Sequence, residues 1–555
     1  MTLMSPNFAL YYAGDAYSTT QKIMGRQSAG KAFMNGIART WPTGLISGIG
    51  PKEVSLKAMA THLQSDGFNG QLKWSNLPSL QSASDAGALY FPSPCPKDLA
   101  HLRNMSNPAA FSFMGVTYTL SSAGAMDNVA ELILPPFRPW DALICISECA
   151  KKFTLQLHHE MKDWWRSQAG AMQFNSPQLP VIFLGVDAPF FRPSPDLKHQ
   201  ARQNFGIAAD ETVFLFCGRL SFHAKANPAP MYQALEKAAL TRKIVCIEAG
   251  VFPNESIKNE YLKAQQALAP HVRFVWADGQ KEALYKQSWQ AADVFISLSD
   301  NIQETFGLTP VEAMAAGLPV IVADWNGYKE TVRDGIDGYR IPTILPPKDG
   351  GGDLAVLHAL ALDTYDYYIG RTSLATVIHP EALATAVKTL SDNAALRAEM
   401  GAAGLKRVQD EFDWPIILKS YVSLAEELKT LRATYSQNNA LTEQKAWPHR
   451  ADPFHRFAHF PSHTLQRSWR VVAKPDAIAR LSDLSQLSMV SYAFDKQLLP
   501  PEVLDSLLQY LASNSSLTVN ELLGATYSDS PVGVRSLLWL WKFDLLEIYP
   551  YHGKN

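Results

Sequence analysis

Five short apolar runs, at 213–217, 244–248, 272–275, 294–297 and 320–323, follow one another at intervals that leave room for a helix or a long loop between each pair. This spacing restricts the fold more than any other feature of the chain. Parallel neighbours need a crossover rather than a tight turn, and strands buried on both faces read as unbroken apolar runs. The second half is therefore expected to be a doubly wound α/β domain. The first half shows the pattern less sharply. Strand candidates lie at 9–13, 88–91, 111–118 and 142–146, with helical periodicity from about Gln21 through Ile37 and again from Ser147 to His158. Between the halves, the stretch 179–193, LPVIFLGVDAPFFRP, has the Pro and Gly content of a link.

Four segments are expected. Two Rossmann-like domains cover 1–185 and 186–428, a linker or surface-wrapping arm covers 429–490, and a small helical, winged-helix-like unit covers 491–555. The last unit offers helix candidates at 501–511, 518–523 and 531–543. Thr518 and Glu521 stand at capping-box spacing, and Ser530 precedes Pro531 as a helix start would require.

Composition narrows the function classes. At 555 residues, 47% apolar and 18% charged, the chain suits a multidomain globular enzyme. A net charge of −2 provides no basic field for a nucleic-acid backbone. The terminal unit follows suit, with four Lys or Arg against seven Asp or Glu and a third helix rich in Leu and Trp, a face for packing or for a protein partner. The cysteines, Cys95, Cys145, Cys149, Cys217 and Cys246, are odd in number and without metal-ligand spacing, as reduced thiols of a cytoplasmic protein would be. Residues 1–9 lack the charged start and apolar run of a signal peptide, and no apolar stretch is long enough to span a bilayer, so a cytoplasmic location is expected. Lys151, Lys152, Lys162 and Arg166 with Trp164 and Trp165 leave membrane contact by a basic aromatic helix as the lesser alternative to a solvated one. His455, His459 and His463 are spaced by four, but Pro461 breaks any helix that would align them, and no metal is expected.

The chemistry concentrates at 293–338, DVFISLSDNIQETFGLTPVEAMAAGLPVIVADWNGYKETVRDGIDG. A buried strand runs into a polar loop, and the loop into a helix begun by Thr309, Pro310 and Glu312. A glycine-containing loop against the positive end of a helix dipole, at the carboxyl edge of a parallel sheet, is an anion site suited to a diphosphate. Glu304 and Glu312 stand beside it, and ionised carboxylates suit sugar hydroxyls rather than phosphates. Thr309 and Glu312 also have capping-box spacing, which leaves a purely structural duty open for Glu312. Upstream, a strand and Gly218 deliver Arg219 and Lys225, two cations that would stabilise charge developing on a leaving diphosphate.

The run ETFGLTPVEAMAAGLPVIVADWNG resembles the Glu-x7-Glu signature of the family-4 retaining glycosyltransferases of GT-B fold, and FLFCGRLSFHAK at 214–225 resembles the strand-Gly-Arg-loop-Lys element of the same family. Weaker echoes are DALICIS at 141–147 and EFDW at 411–414, before a helix that in the family returns to the first domain. The resemblance implies two facing Rossmann-like domains, the first on the acceptor side and the second binding the donor. It implies transfer of a sugar from a UDP- or GDP-sugar to an acceptor hydroxyl with retention of configuration, without metal or other cofactor. It also implies that Glu304 faces the donor sugar and Glu312 the ribose. Arg219 and Lys225 would then meet the diphosphate, and Gly218 with Thr305, Phe306, Gly307, Leu308 and Thr309 would complete the donor site.

The first domain departs from the family pattern. Its opening loop, 14–32, has no Gly-Gly pair, so Gly25, Arg26 and Gly30 are the candidates for that duty. Tyr118 in GVTYTLS stands where relatives carry a histidine. Asp15, Gly25, Arg26, Tyr118 and Asp127 are therefore the acceptor-side candidates. The acceptor, whether glycan, lipid, protein or small molecule, is not specified by the sequence. Another sugar-nucleotide enzyme of the same fold, an epimerase or a phosphorylase, is the alternative. A non-catalytic interaction module is the third reading.

Overall fold

The computed structural model describes residues 5–17, 25–51, 53–438, 447–492, 497–514 and 516–549. Residues 21–24 of the expected first helix and 439–446 of the expected arm lie outside the described residues. The chain divides into two compact units, Met1–Lys445 and Ala446–Asn555.

The first unit contains two six-stranded parallel sheets. In one, β1 (Ala9–Tyr11), β2 (Leu45–Gly50), β3 (Gln71–Asn76), β4 (Ala88–Phe91), β5 (Ser112–Val116) and β6 (Ala142–Ile144) stand in the order β3-β2-β1-β4-β5-β6. In the other, β7 (Thr212–Cys217), β8 (Ile244–Gly250), β9 (Arg273–Asp278), β10 (Val294–Ser297), β11 (Val320–Ala323) and β12 (Gly338–Ile341) stand in the order β12-β11-β10-β7-β8-β9. Each sheet starts in the middle, builds to one edge, then crosses to the other side. That is the Rossmann order, and it opens a crevice at the carboxyl ends of β1 and β4 and of β7 and β10. Every residue of β7 and β8 is buried, as the unbroken apolar runs require, whereas β3 and β9, at the sheet edges, are largely exposed or half-buried.

Three strands of these two sheets lack a sequence signal for physical reasons. β3, QLKWSN, and β12, GYRI, are edge strands with polar residues facing out. β2, LISGIG, is interrupted by glycines, and a Cβ on Gly48 would lie 2.8 Å from both the Met59 sulfur and the Trp74 ring, so only glycine admits the indole across that strand.

The helix Trp414–Asn438 leaves the second sheet and packs along the helix Gly25–Thr40 of the first. Arg39 secures the return, donating to Asp187 at 2.8 Å and to both carboxylate oxygens of Asp413 at 3.0 Å. Trp414 is buried against Phe33 in an edge-to-face pair.

The second unit is an antiparallel sheet carrying helices. Arg470–Ala473, a strand within the segment expected as an arm, lies between Leu517–Thr518 and Leu546–Tyr549. The helices Ala477–Ser485, Pro501–Ser513, Val519–Ala525 and Pro531–Lys542 cover it, and Val471, Leu481, Leu507, Leu522 and Leu537 form one core. The unit therefore begins well before 491, because a four-residue strand between polar segments carries almost no periodic signal. The Thr518–Glu521 capping box and the Ser530 cap form as their spacing requires.

Candidate active site

β7 and β10 are neighbours at the centre of the second sheet, so the loops that follow them meet at its carboxyl edge. The loop after β7 carries Gly218, Arg219 and Lys225. The loop after β10 runs from 298 to Gly307, where the helix Leu308–Ala315 begins. Gly307 has φ 92°, and a Cβ there would lie 2.1 Å from the Tyr328 ring, so the helix can start at this point only with glycine. Gly307, at the cap position, has no side chain to offer that helix, and the Thr309 to Glu312 capping box does not form. The helix start instead falls two residues before Thr309, which leaves Glu312 beyond the first turn.

Glu304 takes over the capping duty. Its Oε1 accepts from the amide of Gly307 at 3.1 Å and that of Phe306 at 3.5 Å, while Oε2 accepts from Lys225 Nζ at 2.5 Å. One carboxylate thus joins a helix N-terminus to an ammonium, the two positive features expected to hold a diphosphate. Burial works to raise the Glu304 pKa, but the Lys225 charge and hydrogen bond and the two amides outweigh it and hold the carboxyl below its usual range. For Lys225, burial works downward and the Glu304 charge prevails, so the ammonium is held above its usual range. Both side chains keep some exposure, 21% for Lys225 and 13% for Glu304, enough to be reached from the cleft.

Arg219 donates to the Ala224 carbonyl at 3.0 Å, and burial lowers its pKa without neutralising it. Glu312 is 8% exposed and accepts from the Tyr285 hydroxyl at 3.3 Å. Burial pushes its carboxyl up to about 7. The two glutamates of the motif therefore differ in charge state, one fixed as an anion and the other poised near neutrality.

The two domains close on this edge. Thr305 Oγ1 donates to the Tyr118 carbonyl. Ser147 donates to Asn326 at 3.1 Å, and the Glu330 carboxylate accepts from the Glu148 amide at 2.8 and 2.9 Å, capping the helix Glu148–Ala169 from the opposite domain. A cleft of about 400 Å³ remains between them. Asp15, Gly25, Arg26 and Tyr118 line one wall, and Gly218, Arg219, Lys225, residues 304–309 and Glu312 the other. Arg26 pairs with the exposed Asp15 at 3.3 Å, and the Tyr118 hydroxyl lies 3.5 Å from that of Tyr90. Among the described residues outside its own helix, none lies within 4 Å of where a Cβ on Gly25 would stand. Gly30 serves packing instead, since a Cβ there would lie 2.1 Å from the Ala16 carbonyl oxygen. Asp127 is not brought into the cleft; it stands exposed on the helix Ala123–Glu131.

Tyr285, Asn301, Gln303 and Gly250 also line the cleft and had no sequence signal. Asn301 donates to the His223 carbonyl at 2.9 Å and Gln303 to the Ala224 carbonyl at 3.0 Å, so the loop after β10 supports the loop that carries Lys225. Such contacts join residues nearly eighty positions apart, where no local pattern can reveal them.

Residues 198–344 match the family described as Glycosyl transferases group 1, a stretch that contains both loops of the site. Among curated relatives, the D-inositol 3-phosphate glycosyltransferase of Geodermatophilus obscurus is 32% identical over 169 residues, 29% of this chain and 36% of that protein. The lipopolysaccharide 1,2-N-acetylglucosaminetransferase of Salmonella typhimurium is 30% identical over 145 residues, 25% of this chain and 37% of the relative. These matches thus span little more than a third of the relatives' length. The solved glycosyltransferase of Rickettsia africae covers 76% of this chain and 98% of its own, with a TM-score of 0.52 and 13% identity, and shares the GT-B fold.

Proposed function

We propose that the chain is a glycosyltransferase that moves a sugar from a UDP- or GDP-sugar to an acceptor hydroxyl, with retention at the anomeric carbon and without a metal. One observation carries this reading: Arg219, Lys225 and the N-terminus of Leu308–Ala315 converge on one edge of the cleft, with Glu304 and Glu312 beside them. Three fixed positive features suit a diphosphate, and two carboxylates suit the hydroxyls on either side of it. The domain match and the curated relatives support the same class.

In this reaction the bond from the anomeric carbon to the diphosphate oxygen breaks, and the bond to the acceptor oxygen forms on the same face. The acceptor proton passes to the departing phosphate oxygen, so no separate protein base is required. Arg219 and Lys225 stabilise the negative charge as it develops, which makes them the main source of rate. Glu304 accepts from hydroxyls of the migrating sugar once Lys225 and the Gly307 amide turn to the diphosphate. Glu312 accepts from the ribose. Asp15, Arg26 and Tyr118 form the wall from which the acceptor approaches. The five unpaired thiols suit a reducing compartment, which supports action in the cytoplasm.

A thermal-shift and calorimetric survey of UDP- and GDP-sugars tests the reading, since a ligand specific for the native state raises its stability. At least one is expected to bind, and NMR of the product should show the donor's anomeric configuration. Failure of every nucleotide sugar to bind would overturn it, and inversion in the product would remove retention.

A further inference from the structure

Between β12 and the helix Pro380–Asp392 the chain makes an excursion. An antiparallel pair, Thr343–Ile344 against Val377–Ile378, pins its base, and it carries the helices Gly352–Ala359 and Tyr365–Leu374. The first residue of its second helix, Tyr365, crosses to the opposite domain, where its hydroxyl lies 2.8 Å from Ser121 Oγ and 3.2 Å from Thr119 Oγ1. The same hydroxyl donates to Gln303 Oε1 at 3.4 Å.

Gln303 donates through Nε2 to the Ala224 carbonyl at 3.0 Å, and Arg219 donates to that carbonyl at the same distance. A continuous series of hydrogen bonds therefore runs from Ser121 on the acceptor-side rim, through Tyr365, Gln303 and the Ala224 oxygen, to Arg219. Its polarity is self-consistent. A phenol has one proton, which goes to Gln303, and its lone pairs receive the hydroxyl protons of Ser121 and Thr119. The Gln303 amide is thereby fixed with oxygen toward Tyr365 and nitrogen toward Ala224, since the reverse would set two carbonyl oxygens against each other.

We propose that Tyr365 is a positioning residue that makes the orientation of Arg219 depend on closure of the two domains. With Ser121 and Thr119 engaged, Tyr365 holds the Gln303 amide, and Gln303 and Arg219 together hold the loop 219–227. With the domains apart, Tyr365 loses its acceptor-side partners and the series loosens. The cation that meets the leaving diphosphate is then fully oriented only when the acceptor face is in place, which limits loss of the sugar to water. This rests on the glycosyltransferase reading, because the duty of Arg219 at a diphosphate belongs to it.

The Tyr365→Phe variant of the full chain keeps the ring and removes only the hydroxyl. With UDP-glucose and GDP-mannose as donor probes, the kcat for release of nucleoside diphosphate is expected to fall about 10-fold, the scale of one lost hydrogen bond. Binding of bare UDP or GDP should stay within about twofold. Ser121→Ala should show the same loss, Ser121→Thr should restore the rate, and the Tyr365→Phe, Ser121→Ala double variant should lose no more than either alone. Hydrogen exchange of the 219–227 amides should quicken in Tyr365→Phe. Unchanged kcat, additive losses or unchanged exchange would each overturn the proposal. If the wild-type chain binds neither nucleotide, the functional reading falls, and the exchange measurement by itself decides whether Tyr365 holds the loop.

Discussion

Glu304 and Lys225 form an ion pair of 2.5 Å although they lie 79 residues apart, because the strands that deliver them, β7 and β10, are neighbours in the sheet. The same carboxylate holds the Gly307 amide at 3.1 Å. On the proposed reading, it engages both groups that a diphosphate would engage, and the two anions would compete for them.

That competition predicts an asymmetric phenotype for Glu304→Ala. Calorimetry should find bare UDP or GDP bound at least as tightly as by the wild type, since Lys225 and the helix N-terminus are released. Transfer should nevertheless fall by about 100-fold, because the lost partner is the sugar that moves. Near-wild-type transfer would remove Glu304 from the site.

Arg219→Ala and Lys225→Ala should lower binding and rate together. On the proposed reading each removes a cation that meets the diphosphate before reaction and the greater charge during it, with an expected cost in kcat on the order of 100-fold. Initial rates with calorimetric binding on folded variants check this. An effect on affinity alone would assign them to ground-state binding.

On the proposed reading, Glu312 would link nucleotide binding to pH. Burial raises its carboxyl to about 7, above the ordinary 4.5. Its folded-state pKa exceeds its unfolded one, so the native state binds the extra proton and this group's contribution to stability falls as pH rises from about 4.5 to about 7. Ribose hydroxyls prefer the ionised form, so nucleotide affinity should rise over the same approach to neutrality. Thermal melts and calorimetry between pH 5.5 and 8 should show both slopes reduced in Glu312→Gln. Identical slopes in variant and wild type would exclude this role.

Gly307→Ala should disrupt the site from within the backbone. A left-handed φ of 92° and a Cβ 2.1 Å from the Tyr328 ring force the helix start to move, at a cost of about 2 kcal/mol in stability. Denaturant unfolding should register the loss together with weakened nucleoside diphosphate binding. A variant as stable and as tight-binding as the wild type would contradict it.

The terminal unit has its own buried core, so a chain ended at 445 should retain donor binding while transfer or oligomeric state changes. With ten Lys or Arg against ten Asp or Glu from 446 onward, it has no net positive charge and should not hold duplex DNA at physiological salt. Tight DNA binding by residues 446–555 would overturn its assignment to protein contact.

What could be read in advance followed from range. The central strands were visible because burial on both faces demands an unbroken apolar run, and 88–91, 294–297 and 320–323 coincide with the strands Ala88–Phe91, Val294–Ser297 and Val320–Ala323. The edge strands Gln71–Asn76 and Gly338–Ile341 carry polar residues toward water and left no such mark. The site divides in the same way. Glu304, Gly307 and Glu312 stood out together because one loop and one helix carry them all. Tyr285, Gln303 and Tyr365 did not, because their partners lie on other elements.

The sequence by itself determined the two parallel sheets, the glycine at which the helix Leu308–Ala315 begins, and the two charged loops at the sheet's edge, all consequences of local periodicity and backbone freedom. Only the tertiary structure decided that Glu304 rather than Thr309 serves the start of that helix, that Glu312 is buried enough to hold its proton near neutrality, and that Asp127 stands outside the cleft. Those outcomes depend on which loops the strand order sets side by side and on how much water it leaves around each carboxylate, quantities that exist only once distant segments have packed.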